Sequence, residues 1–138
     1  MMRLLVVLAV LSSVTAPAPA PQPVSQFVAI DVYADTGGRP LAAWQIELNC
    51  DPSQAKIVGV EGAGARPPYY DPAALEGGRI ILADFSTEPS LPSGRVLVAR
   101  VHFQETGSPT YVPTLMAAAA PGGERLDLRI DLVRTGGK

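Results

Sequence analysis

From Trp44 to Cys50 the chain alternates strictly: Trp44, Ile46, Leu48 and Cys50 are apolar or small, while Gln45, Glu47 and Asn49 are polar. A period of two is the signature of a strand with one dry face and one wet face, and it is incompatible with a helix, whose apolar stripe repeats every 3.6 residues. Asp51-Pro52 stops the run, because proline cannot donate to a strand ladder, and a second apolar run follows over residues 55–61.

The same reading extends along the chain. Residues 26–35 alternate as a first strand, and Asp35-Thr36-Gly37-Gly38 supplies a turn. Residues 79–86 form a strand with Ile81, Ala83 and Phe85 expected inward. Residues 95–105 are the clearest strand, with Leu97, Ala99, Val101 and Phe103 alternating against Val98, Arg100, His102 and Gln104. Residues 110–120 form an apolar strand whose Pro113 points to an edge or a bulge. Residues 126–133 close the domain with Leu128, Ile130 and Leu132 inward, and Asp127, Arg129 and Asp131 outward, where they discourage edge pairing. The long loop over 62–78 carries one helical turn, with Asp71 as cap and Pro72 at the first position. Seven or eight short strands, broken by 13 glycines and 14 prolines, define an all-β sandwich.

The N-terminus reads as an export signal. Arg3 gives a positive start, residues 4–11 are apolar, and small residues follow. The apolar run is shorter than the roughly 20 residues that span a bilayer, so the mature chain is not expected to insert stably in a membrane. Ser13 and Thr15 would satisfy the small-residue rule for cleavage after Thr15. The Ala/Pro run over 16–23 is a stiff tether. Signal and start of tether thus occupy 1–20, and the sandwich domain 24–135. The expected compartment is extracellular or periplasmic.

The formal charge is -2, with basic residues scattered among acids. That distribution excludes nucleic acid as a partner, which requires a concentrated basic patch. One cysteine, Cys50, permits no internal disulfide and no cysteine metal cluster. By parity it packs beside Leu48 as a small buried side chain.

The order of these motifs resembles cohesins, the β-sandwich modules that grip dockerins in cellulosomes. Cys50-Asp51-Pro52, the run Ile57-Val58-Gly59-Val60, Arg79-Ile80-Ile81-Leu82-Ala83, and Gly94 followed by Ala99 and Phe103 stand in the family's order and cover about residues 27–133. The resemblance implies a flattened jelly-roll sandwich of about seven to nine strands and a partner-binding rather than catalytic role. Cys50 stands where the family usually has tyrosine. Ala43 and Gln45 stand where many dockerin-binding members carry Asn and Asp.

If the three strands are neighbours as in cohesins, the partner-binding face comprises Gln45, Glu47, Leu82, Asp84, Arg100 and His102, with Leu82 as its central apolar contact. The partner would be a dockerin-like or other extracellular protein. The alternative is a polysaccharide held by Tyr69 or Tyr70, adjacent residues that point opposite ways in an extended segment. Such a module would accompany polysaccharide breakdown without catalysing it. The lone His102 has no Gly-x-Ser-x-Gly elbow to serve, so no hydrolase site is expected. Asp71 and Asp84 as a glycosidase pair fare little better. No cofactor is called for; calcium bound by Asp35, Asp71 or Asp84 is the metal reading the sequence allows.

Overall fold

The computed structural model describes residues 12–20 and 24–136. The apolar leader over 4–11 lies outside the described residues, as do positions 21–23 of the tether. Residues 12–20 are exposed and carry no regular secondary structure.

Among the described residues there are seven strands: β1 Gln26–Asp35, β2 Ala43–Asn49, β3 Ala55–Gly62, β4 Arg79–Phe85, β5 Arg95–Glu105, β6 Val112–Ala119 and β7 Arg129–Thr135. They form two antiparallel sheets, one of four strands ordered β3-β5-β1-β7 and one of three ordered β4-β2-β6. The inward residues of both sheets meet in one core. Val28, Ile30, Val32, Ala99, Val101 and Phe103 come from the larger sheet, and Trp44, Ile46, Leu48, Ile80 and Leu82 from the smaller. Alternation predicted that Trp44 is a core residue, and it is buried.

Local chemistry places the connections. Gly37 and Gly38 adopt φ of 64° and 92° in the β1–β2 turn, a backbone region that glycine enters freely and residues with a side chain rarely adopt. Asp71 accepts a 3.0 Å hydrogen bond from Ala73 N and caps a 3-10 turn over Pro72–Glu76, with Pro72 in the first turn. Gly78 passes so close to the β2–β3 turn that a Cβ there would collide with the Cys50 carbonyl oxygen. β6 lies at an edge of its sheet, as Pro113 implied.

Two inward assignments differ from the expected ones. In β4 the buried residues are Ile80 and Leu82, both 0% exposed, whereas Phe85 is 60% exposed. Pairing decides this. Ile80 lies opposite Leu48, and Leu82 opposite Ile46, and directly opposed residues in an antiparallel ladder share a face. In β5 a bulge at Val98 leaves it without a partner on β1, since Val32 pairs with Ala99 and Tyr33 with Leu97. Beyond the bulge parity flips. Val96 packs against the core, and Leu97 leaves it.

Candidate functional site

β2 and β4 are neighbours, but β5 lies in the other sheet. The six residues expected on one face are therefore divided. Gln45 and Glu47 project from the outer surface of the three-stranded sheet. Arg100 and His102 project from the outer surface of the four-stranded sheet, on the far side of the core. Leu82 is fully buried between the sheets and cannot be a surface contact. Asp84 lies opposite Trp44, on the inward side of β4 at its end.

The two outer surfaces differ in chemistry. On the four-stranded sheet, Arg100 reaches across to the buried Asp31 with Nε–Oδ1 at 2.5 Å and Nη2–Oδ2 at 2.9 Å, a bidentate pair. Those bonds hold the Asp31 carboxyl below the usual carboxylate range. His102 Nε2 lies 2.6 Å from Glu61 Oε2. The Arg95 guanidinium sits 3.7 Å from the Tyr33 ring centroid, and Arg129 approaches Asp35 at 3.5 Å. Most charges on this surface are paired with neighbours on it; Lys56 is exposed, and Phe27, Val58 and Val133 are exposed apolar residues on the same sheet.

The three-stranded sheet presents an apolar surface. The ladder brings Ala83, Gln45 and Ala117 into one row and Phe85, Ala43 and Ala119 into the next. The small side chains make a shallow floor. At its margins stand Met116, exposed at a bulge of β6, and Phe85, while the exposed Val112 lies farther along, opposite Asn49. Gln45 Nε2 reaches Met116 Sδ at 3.6 Å across the floor. Glu47 closes one end, bonded to Arg79 at 2.6 Å and to Asn49; those donors hold its carboxyl below the usual range.

Tyr69 extends this sheet. Its backbone pairs with Ala83 beyond β4, through Tyr69 N to Ala83 O at 2.8 Å and Ala83 N to Tyr69 O at 3.0 Å. The Tyr69 ring is 57% exposed and runs parallel to Phe85, with centroids 6.2 Å apart and planes within 10°. Tyr70 packs against the core instead. The two tyrosines do point opposite ways, so they do not make a two-ring platform.

The three aspartates considered for calcium lie apart in role. Asp35 holds Gly37 N at 3.0 Å, Asp71 caps the 3-10 turn, and Asp84 pairs with Arg66 at 2.8 Å. Among the described residues no group of three or more His, Cys, Asp or Glu is placed to hold a metal ion.

Sequence reasoning missed Ala83, Ala117, Met116, Phe85 and Arg66. The run of alanines from Ala117 to Ala120 was a signal for a low, flat strand surface. Nothing in the sequence pointed to Arg66, which reaches Asp84 only through the curl of its loop.

The chain is similar in structure to the seventh ScaB type I cohesin from Pseudobacteroides cellulosolvens, with a TM-score of 0.56 over 79% of this chain and 77% of that one. The fold is cohesin-like. Sequence identity is 12%, so the likeness is one of architecture. No protein-family model matches the sequence, and no curated protein matches it. No helix among the described residues is long and apolar enough to cross a membrane.

Proposed function

We propose that this chain is an exported, non-catalytic docking module that holds a partner protein on the outer surface of its three-stranded sheet. One observation carries the reading: the contrast between the two outer surfaces. A contiguous exposed apolar patch with a polar rim marks an interaction site, whereas scattered apolar residues do not. Ala43, Ala83, Ala117 and Ala119 give such a patch a floor, and Met116, Tyr69 and Phe85 give it anchors of the kind that dominate interface energetics. The opposite surface also exposes Phe27, Val58 and Val133, but it sets them among charged side chains such as the Arg100–Asp31 and His102–Glu61 pairs rather than on a floor of small residues.

The partner is an extracellular protein, dockerin-like in the sense that it docks on a cohesin-like sheet. Its contact surface is predominantly apolar, because Ala43 and Gln45 offer no carboxylate for a charge-assisted bond. Export rests on the charged, then apolar, then small-residue order of the first residues. The absence of catalysis rests on occupied side chains. His102 is engaged by Glu61 on an open sheet surface, Asp71 caps a turn, and Asp84 pairs with Arg66.

The test is affinity capture from the proteins secreted by the source organism. Wild type is compared with Ala83→Arg plus Ala117→Arg, and with His102→Ala. Wild type and His102→Ala should retain the same partner, and the double variant, folded by circular dichroism, should lose it. Retention by the double variant would place the contact elsewhere.

A further inference from the structure

A second feature lies beside the apolar floor, between the sheets rather than on them. At the end of β4 the sandwich opens into a cleft of about 300 Å³, lined by Trp44, Val96, Val98, Phe85 and Asp84 and walled by the loop over 63–66. Gly62 begins that loop. A Cβ at Gly62 would collide with the Arg66 carbonyl oxygen, so only glycine lets the chain curl back and present Arg66 at the mouth. There Arg66 Nη2 donates to Asp84 Oδ1 at 2.8 Å, and Phe85 N donates to the same oxygen at 2.8 Å. Oδ2 carries neither bond. The Arg66 guanidinium also lies 5.0 Å from the Tyr69 ring centroid, which fixes its position from a second side.

The mouth therefore holds a fork of N–H donors and a carboxylate acceptor side by side, formally neutral as a pair, over an apolar cavity with an exposed phenyl ring at its rim. We propose that this cleft binds a neutral carbohydrate, with the Asp84–Arg66 pair taking adjacent hydroxyls and Phe85 covering the apolar face of a sugar ring. The chemistry selects this class. An ionic ligand would meet one member of the pair with like charge. A purely apolar ligand would bury the pair without replacing its bonds to water, which is costly. A sugar ring carries hydroxyls that both donate and accept, and C–H faces that pack on aromatic rings. The volume lies at the small end of ligand sites, which run from roughly 300 to 1,000 Å³, so the cleft suits a chain end rather than a wrapped chain. The cleft adjoins the proposed docking surface and shares Phe85 at its rim, but its polar pair and apolar lining lie between the sheets, and binding there needs no partner protein.

The test is native gel electrophoresis of the purified full chain through gels containing hydroxyethyl cellulose, xylan or galactomannan, with polygalacturonate as the anionic counterpart. No partner protein is present, so failure of the docking reading cannot affect the result. At least one neutral polymer should retard the wild type and His102→Ala equally. Phe85→Ala and Arg66→Ala, both at exposed side chains, should each weaken retardation at least tenfold in apparent association constant, and Asp84→Ala should do so wherever it folds. Retardation by none of the neutral polymers overturns the proposal. So does retardation by polygalacturonate alone, or retardation that survives both Phe85→Ala and Arg66→Ala.

Discussion

Tyr111 Oη donates a 2.7 Å hydrogen bond to Glu105 Oε1, and this bond ties the two sheets together. Glu105 ends β5 in the larger sheet, and Tyr111 leads into β6 of the smaller. Glu105 is 2% exposed, and Arg134 of β7 grips it with Nη2–Oε2 at 2.6 Å, while Gln26 Nε2 adds a fourth side chain at 3.2 Å. The carboxylate is thus buried but saturated with donors, the condition under which a buried charge is tolerated. Glu105→Gln keeps the shape and removes the charge from Arg134. It should destabilise the domain by roughly 1–3 kcal/mol, the cost of leaving charged hydrogen-bonding groups poorly paired, moderated because Arg134 can turn to water. Urea denaturation of the two proteins checks this.

The same cluster sets an acid limit. Arg134, against an opposing desolvation effect, holds the Glu105 carboxyl below its ordinary range. A group whose folded pKa is depressed contributes stability above its unfolded value, near 4.3, and loses that contribution as pH falls through the folded value. Stability should be nearly flat from about pH 7 to 5 as far as Glu105 is concerned, and fall below about pH 4. The fall should be shallower in Glu105→Gln, measured as the difference in urea midpoint between pH 6 and pH 3.

Leu82→Ala should cost about 2–5 kcal/mol, as for other fully buried leucines truncated in a core. Met116→Ala, at an exposed bulge, should cost under about 0.5 kcal/mol. Melts of both variants separate the inward and outward residues of the smaller sheet. Equal small effects would put Leu82 on the surface.

Cys50 is half-buried against the core, and burial is the largest cause raising its thiol above the ordinary range, with Asp51 and Glu105 adding to it. The thiolate is the reactive form, so Cys50 should react slowly with a chromogenic disulfide reagent at pH 8 in the native protein. In 8 M urea the reaction should be many times faster. Equal rates would mean an open, activated thiol.

Much of this architecture was legible in the alternation of single strands. Trp44, Ile46 and Leu48 announced an inward face, Pro113 announced an edge, and Asp71-Pro72 announced a capped turn. The failures share a cause. From Ile80 to Ala83 four apolar residues stand in a row, so the local pattern carries no parity; only the pairing of Ile80 with Leu48 and of Leu82 with Ile46 supplies it. The Val98 bulge is likewise a property of the β1–β5 pair, not of β5 alone. Alternation says which residues share a strand face, but not which strands share a sheet. That is why Gln45 and Glu47 stayed together while Arg100 and His102 fell to the opposite side. Asp84 and Arg66, eighteen positions apart, meet only because the loop after Gly62 folds back.

Hydrogen–deuterium exchange of the module with its captured partner tests the central claim most directly. Slowed exchange in β2, β4 and β6 and around Tyr69, with β1, β5 and β7 unchanged, is the predicted result. Protection centred instead on Asp31, Arg100 and His102, or wild type that retains no secreted protein at all, would contradict docking on the three-stranded sheet.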